Sequence, residues 1–273
     1  MSDAHGRERL TGVERPSTAL SKTYSLPASW ASTSCGIMET EMTPLPTVLV
    51  PGLFTTPRLF FGQLPALWRF GPVMVADHAR DDTVDGAAAR LLADAPPRFA
   101  LAGLSYGGVV AQAVVRAAPE RVDRLALLST TARPDPPEAA ELRQAMLAQL
   151  RAGRLDELID ASIAGVVAPS RAQDAELRTS MKDMLRTIGA EAAIRQVHAH
   201  MGRPDARAAL GAMAVPTLVV VGDADRLAPP EHARELAGAI PDSELVVLED
   251  CGHLSALERP DAVTDALVAW RAR

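Results

Sequence analysis

The stretch from Phe99 to Val115, FALAGLSYGGVVAQAVV, constrains the fold of this chain more than any other. Apolar residues with the look of a buried strand run into Gly103-Leu104-Ser105-Tyr106-Gly107, and an Ala/Val-rich helical pattern leaves it. A serine at such a turn sits on a sharp, strained backbone, and the flanking glycines are needed because a side chain there would meet the neighbouring strand and helix. The hydroxyl is held out at the top of the sheet, where the free N–H groups opening the helix also point. By chance alone a G-x-S-x-G match arises in roughly one chain in twenty of this length. The strand before and the helix after are therefore what make Ser105 a candidate nucleophile.

At 273 residues with 48% apolar content, the chain can bury one large core. A net charge of −6 with no Lys/Arg cluster leaves no electrostatic footprint for nucleic acid or an anionic membrane surface, and no apolar run reaches the length of a membrane span. The expected partner is a small molecule, with neither nucleic acid nor membrane. The two cysteines, Cys35 and Cys251, make no disulfide framework and lack zinc-site spacing, which points to a reducing, cytoplasmic setting. Cys251 reads as a small buried filler.

Residues 1–43 are polar and aperiodic, and read as a disordered tail or, given Met38 and Met42, as an over-extended start of the reading frame. Thr47 to Val50 is a buried-type strand, turned out by Pro51-Gly52-Leu53-Phe54, a loop placed to supply a second backbone donor. A helical segment is expected from Leu59 to Trp68, then a strand from Val73 to Ala76, and a helix from Val84 to Ala93 capped by Asp82 or Thr83. After the Ser105 unit comes a strand from Arg124 to Ser129. The pattern resumes with strands at Thr217 to Val221 and Glu244 to Leu248, and helices near Pro230 to Ala239 and Pro260 to Trp270.

Strands alternating with helices predict an α/β fold with a mostly parallel sheet flanked by helices. Its core is expected over residues 44–132 and 211–273. Between them, residues 133–210 carry only amphipathic helical patterns and read as a helical cap insertion over the strand ends. Three faces stand out: Leu142, Met146 and Leu150; Leu177, Met181, Met184, Leu185 and Ile188; and Ile194, Val197 and Met201. Ser170 and Gln173 form a candidate capping box for the second. The Met and Leu stripes read as core first and substrate wall second, with a cleft expected between cap and sheet.

A serine nucleophile needs a base within hydrogen-bond reach and a third group to orient that base. Of six histidines, His253 lies in a Gly-containing loop just past the last strand, where it can face Ser105. His5 lies in the tail, His78 after a strand, His198 and His200 on a cap helix, and His232 on a surface helix. For the acid, Asp225 and Asp223 both follow the strand ending at Val221; Asp225 is favoured because a residue further past the strand end can turn back. The position after the strand ending near Leu128 offers Ser129-Thr130-Thr131 and no carboxylate. The order along the chain is Ser, Asp, His.

With PGLF, GLSYGG, GDADRLAPP and CGHLSALERP in place, residues 45–273 resemble the α/β-hydrolase superfamily. The likeness is to small bacterial esterases and C–C or acyl hydrolases with a helical cap, including the pimeloyl methyl-ester carboxylesterase type. It implies an α/β-hydrolase fold, Ser105 as nucleophile, His253 as general base and then acid, and Asp225 orienting His253. It also implies an oxyanion hole from the backbone N–H groups of Leu53 and Tyr106, no metal or organic cofactor, and cleavage of an ester or thioester through an acyl-enzyme. C–C hydrolysis, acyl transfer and a non-catalytic ligand-binding role are the alternatives on the same triad. Two departures stand out: the family's usual His-Gly is Pro51-Gly52 here, and its Asp-x-x-Gly-x-Gly-x-Ser is Asp77 to Thr83 without the glycines. They point to an altered entrance, with Arg80 or His78 as lining candidates against the plainer reading of a solvated loop.

Overall fold

The computed structural model describes residues 44–273, so the tail reading of residues 1–43 lies outside the described residues. Six strands, β1 (Thr47–Val50), β2 (Val73–Val75), β3 (Phe99–Leu104), β4 (Val122–Leu128), β5 (Thr217–Gly222) and β6 (Ser243–Leu248), form one sheet. Its order is β2-β1-β3-β4-β5-β6, with every pair parallel. β1, β3 and β5 are buried at every residue, which explains their unbroken apolar runs.

Alternation along the strands feeds two apolar layers. Val48, Val50, Leu101, Leu125, Leu127 and Val219 face one, shared with helices α2 (Val84–Asp94), α3 (Tyr106–Ala117) and α8 (Pro230–Ala239). Leu49, Ala100, Ala102, Leu128 and Val220 face the other, against α9 (Ser255–Glu258), α10 (Pro260–Ala272) and the helices between β4 and β5. The chain winds outward from β1 to β2 and then returns across β1 to β3. The β1 and β3 carboxyl ends therefore flank a topological switch point, where open α/β sheets bind ligands.

Thr83 caps α2 as expected, its Oγ1 accepting from the Gly86 N–H at 3.1 Å. The helix expected from Leu59 to Trp68 is instead broken into a turn at Pro57–Phe60, the four-residue α1 (Leu64–Leu67) and a turn at Trp68–Phe70. Pro65 lacks the N–H group a continuous helix would use there and sits in the first turn of α1, while Pro57 opens the turn before it. Between β4 and β5 lie four helices, α4 (Ala140–Arg151), α5 (Leu155–Val166), α6 (Ala175–Ile188) and α7 (Ala190–Met201). The sequence faces mark α4, α6 and α7; α5 adds Leu158, Ile159 and Ile163 to the same apolar layer. The expected capping box is corrected: Asp174 caps α6, accepting from the Leu177 N–H at 3.0 Å, while the Ser170 hydroxyl donates to Asp250. A carboxylate one residue from the helix start leaves the serine free for a distant partner. No helix among the described residues is long and apolar enough to cross a membrane.

Candidate active site

β3 ends at Leu104 and α3 starts at Tyr106, so Ser105 alone makes the turn, with φ 57° and ψ −121°. A non-glycine residue at positive φ costs about 1–3 kcal/mol and persists where its surroundings over-determine it. Here they do: a Cβ on Gly103 would lie 2.3 Å from the Gly107 carbonyl oxygen, and one on Gly107 would lie 2.0 Å from that of Val50. The Ser105 N–H donates to the Leu128 carbonyl at 2.9 Å, and Thr130 Oγ1 donates to the Ser105 carbonyl at 2.7 Å. The backbone is pinned from both sides while the side chain stays open to a cleft.

His253 Nε2 lies 2.7 Å from Ser105 Oγ, and its Nδ1 lies 2.9 Å from Asp225 Oδ2 and 3.0 Å from Oδ1. With the carboxylate ionised, Nδ1–H donates to Asp225, and Nε2 is left to accept from the serine hydroxyl. Asp225 is buried, and its Oδ1 also accepts from the Leu227 and Ala228 N–H groups at 2.9 Å. Asp223, the other sequence candidate, is exposed and accepts from the Cys251 N–H at 3.2 Å, which braces the loop without reaching His253. Cys251 is buried, and burial pushes its thiol up to about 12, in keeping with a filler.

The His253 loop is organised by Glu258, whose role no local sequence signal marks. Its carboxylate accepts from the Ala168, Gly252 and Leu254 N–H groups at 2.8, 2.9 and 3.0 Å. The His253 N–H in turn donates to the Val166 carbonyl at 2.7 Å. Gly252 permits this approach, since a Cβ there would lie 2.5 Å from Ala168 N. The end of α5 and the imidazole loop are thus fixed to one another through a single buried carboxylate.

Leu53 lines the same cleft as Ser105, and Tyr106 follows Ser105 as the first residue of α3. A Cβ on Gly52 would lie 3.3 Å from Ser105 Cβ, so the Pro51–Phe54 loop passes close against Ser105. Neither the Leu53 nor the Tyr106 amide N–H donates to an acceptor among the described residues. The loop is held from behind by His78, whose ring Nε2 lies 2.8 Å from the Pro51 carbonyl oxygen. Gln196 on α7 spans the remaining gap: its Oε1 accepts from the Phe54 N–H at 3.0 Å, and its Nε2 lies 3.2 Å from His78 Nδ1. The entrance reading is corrected accordingly. His78 is buried, neither lining the cleft nor solvated, and burial holds its pKa below the ordinary value. Arg80 is exposed and paired with Asp77, as the solvated-loop reading expects.

Above these groups is a cleft of about 480 Å³. Leu142, Met146, Ile159, Val166, Met181 and Met184 from α4, α5 and α6 form one wall, so part of the Met stripe faces the cleft rather than core alone. Ser105, His253 and Leu53 lie on the sheet side. His200 and His232 also line it. Among the described residues no group of three or more His, Cys, Asp or Glu side chains could hold a metal ion.

The alpha/beta hydrolase family model matches residues 47–266, and the chain belongs to that family. It is 29% identical over 195 residues to the pimeloyl-[acyl-carrier protein] methyl ester esterase of Aromatoleum aromaticum, covering 67% of this chain and 78% of that protein. It is 31% identical over 241 residues to the polyketide synthase ThaQ of Burkholderia thailandensis, covering 82% of this chain but only 12% of the synthase. Among solved structures, a thermophilic esterase from Thermogutta terrifontis superposes with a TM-score of 0.75 at 29% identity, over 83% of this chain and 89% of that one.

Proposed function

We propose that this chain is a serine hydrolase that cleaves a carboxylic ester or thioester of a small to medium apolar acyl compound through an acyl-enzyme. The observation that carries the reading is the unbroken hydrogen-bond chain from buried Asp225 through His253 to Ser105, at the floor of a largely apolar cleft. His253 Nε2 takes the hydroxyl proton as Ser105 Oγ attacks the carbonyl carbon, and Asp225 stabilises the imidazolium that forms. The Leu53 and Tyr106 N–H groups stabilise the oxyanion; a single such donor is typically worth about 100- to 1000-fold in rate. The imidazolium then protonates the departing alcohol or thiol. Water, deprotonated by the same nitrogen, releases the acid and restores Ser105.

The names of the methyl ester esterase of Aromatoleum aromaticum and the Thermogutta terrifontis esterase support an ester as the substrate class. The test is a panel of 4-nitrophenyl esters from short to long acyl chains, with wild type and Ser105→Ala side by side. Turnover lost in the variant supports the nucleophile, and the preferred chain length sizes the cleft. Equal turnover by the variant sinks the reading.

A further inference from the structure

The chain is net −6, yet four arginines line the cleft, Arg133, Arg143, Arg203 and Arg226, against one carboxylate, that of Asp135. Arg133 is taken up by Glu235, with Nε 2.8 Å from Oε2. Asp135 serves two cations at once. Arg143 Nε and Nη2 grip it at 3.0 and 3.1 Å, and Arg203 Nη1 reaches the same Oδ1 at 2.9 Å. These side chains are only 16% (Arg143), 5% (Arg203) and 10% (Asp135) exposed, so two guanidiniums share one counter-ion largely out of water. Arg226 is exposed beside Asp225 and makes no ion pair among the described residues.

A buried cation without its own partner is costly, and a guanidinium presents five N–H donors in a fork that fits a carboxylate. Arg203 commits Nε to the Arg133 carbonyl and Nη1 to Asp135 and the His200 carbonyl, which leaves Nη2. Arg143 likewise leaves Nη1. Beside Tyr106, with ring centroids 5.9 Å apart, His200 lines the same cleft, and its buried Nδ1 has no hydrogen-bond partner among the described residues. One arginine would complete the pair with Asp135. The second arginine is surplus to that pair and complementary to an entering anion.

We propose that this part of the cleft is a carboxylate-binding subsite, so that the substrate is an ester or thioester carrying a second, ionised carboxylate away from the scissile bond. The proposal deepens the hydrolase reading and rests on it. A ligand carboxylate on the free edges of Arg143 and Arg203 gives each guanidinium its own counter-ion, and Arg226 adds attraction at the mouth.

The test compares matched ester pairs that differ by one carboxylate: 4-nitrophenyl hexanoate with mono-4-nitrophenyl adipate, and phenyl acetate with 4-acetoxybenzoate. Wild type is expected to favour the carboxylated member of at least one pair by tenfold or more in kcat/KM. That preference falls at least tenfold in Arg143→Gln, chiefly through KM, and partly returns in Arg143→Lys. Arg226→Gln, which breaks no ion pair and so spares the fold, lowers it less and makes it less sensitive to salt. Equal or lower kcat/KM for the carboxylated member of both pairs, or a preference unchanged in both glutamine variants, overturns the subsite. If no ester is turned over and a fluorophosphonate leaves Ser105 unlabelled, it is the hydrolase reading that fails. Calorimetry of adipate with the Ser105→Ala protein then judges the subsite alone: binding that is lost when Arg143→Gln is added supports it, and absence of binding overturns it.

Discussion

The ring Nε2 of His78 lies 2.8 Å from the carbonyl oxygen of Pro51, behind the loop that passes close against Ser105. Gln196 fixes the tautomer: its Oε1 accepts from Phe54, so its Nε2 donates to His78 Nδ1, and the ring proton sits on Nε2 facing Pro51. Phe54, at φ 63°, is one of the few non-glycine residues at positive φ, and the bond to Gln196 helps hold it there. His78→Ala is expected to lower kcat for a nitrophenyl ester about 10- to 100-fold, short of the full loss of an oxyanion donor, with KM changed less than about threefold. Gln196→Leu shifts kcat the same way by less. A KM effect with kcat unchanged would mean the pair shapes the cleft rather than the oxyanion loop.

Two aspartates two residues apart separate cleanly. Asp225→Asn keeps the shape but places an amide against His253 Nδ1, favouring the wrong tautomer, and should cost about 10³- to 10⁴-fold in kcat. Asp223→Asn leaves the His253 contact intact and should stay within about threefold. Steady-state kinetics on one ester distinguishes them, and the reverse order would reassign the acid.

Glu258 accepts three buried N–H groups from two segments, one of which carries His253. Glu258→Ala strands all three and should lower stability by about 3–6 kcal/mol, with Glu258→Gln intermediate because one oxygen acceptor survives. Urea unfolding followed by circular dichroism measures both. A change under about 1 kcal/mol in the alanine variant would show that the loop finds other partners.

Acid should destabilise the fold before its carboxylates titrate. Burial holds His78 and His200 below the ordinary histidine value of 6.5, for His200 well below, with Arg203 and Arg143 adding to the effect. Both rings are therefore neutral in the folded chain while the unfolded chain takes up protons as pH falls through 6.5. Full stability holds above that pH and is lost progressively towards the lowered folded values. The melting temperature should fall between pH 7 and pH 5, and His78→Gln should flatten the slope even though it lowers the starting value. A flat profile in wild type over that range would contradict the burial of neutral histidines.

What was legible in the sequence was whatever local chemistry encodes. Ser105 and His253 sit in short signatures beside strands, and Asp225 sits where a loop turns back, so each could be named without knowing what it touches. Glu258 reads as an ordinary helix-end acid, because the Ala168 N–H it accepts comes from 90 residues away. His78 and Gln196 meet across 118 residues, and Arg143, Asp135 and Arg203 converge from three segments, so only the folded arrangement pairs them. The α5 pattern and the Pro65 interruption are local signals that the stronger periodicity of their neighbours masks.

The central claim, that Ser105 is a nucleophile activated by His253 and Asp225, is tested most directly by intact-mass analysis after treatment with a fluorophosphonate. One adduct per chain, mapped to Ser105, absent in Ser105→Ala and formed at least 100-fold more slowly in His253→Ala, is the predicted result. No adduct, or an adduct on another residue that persists in Ser105→Ala, would contradict it.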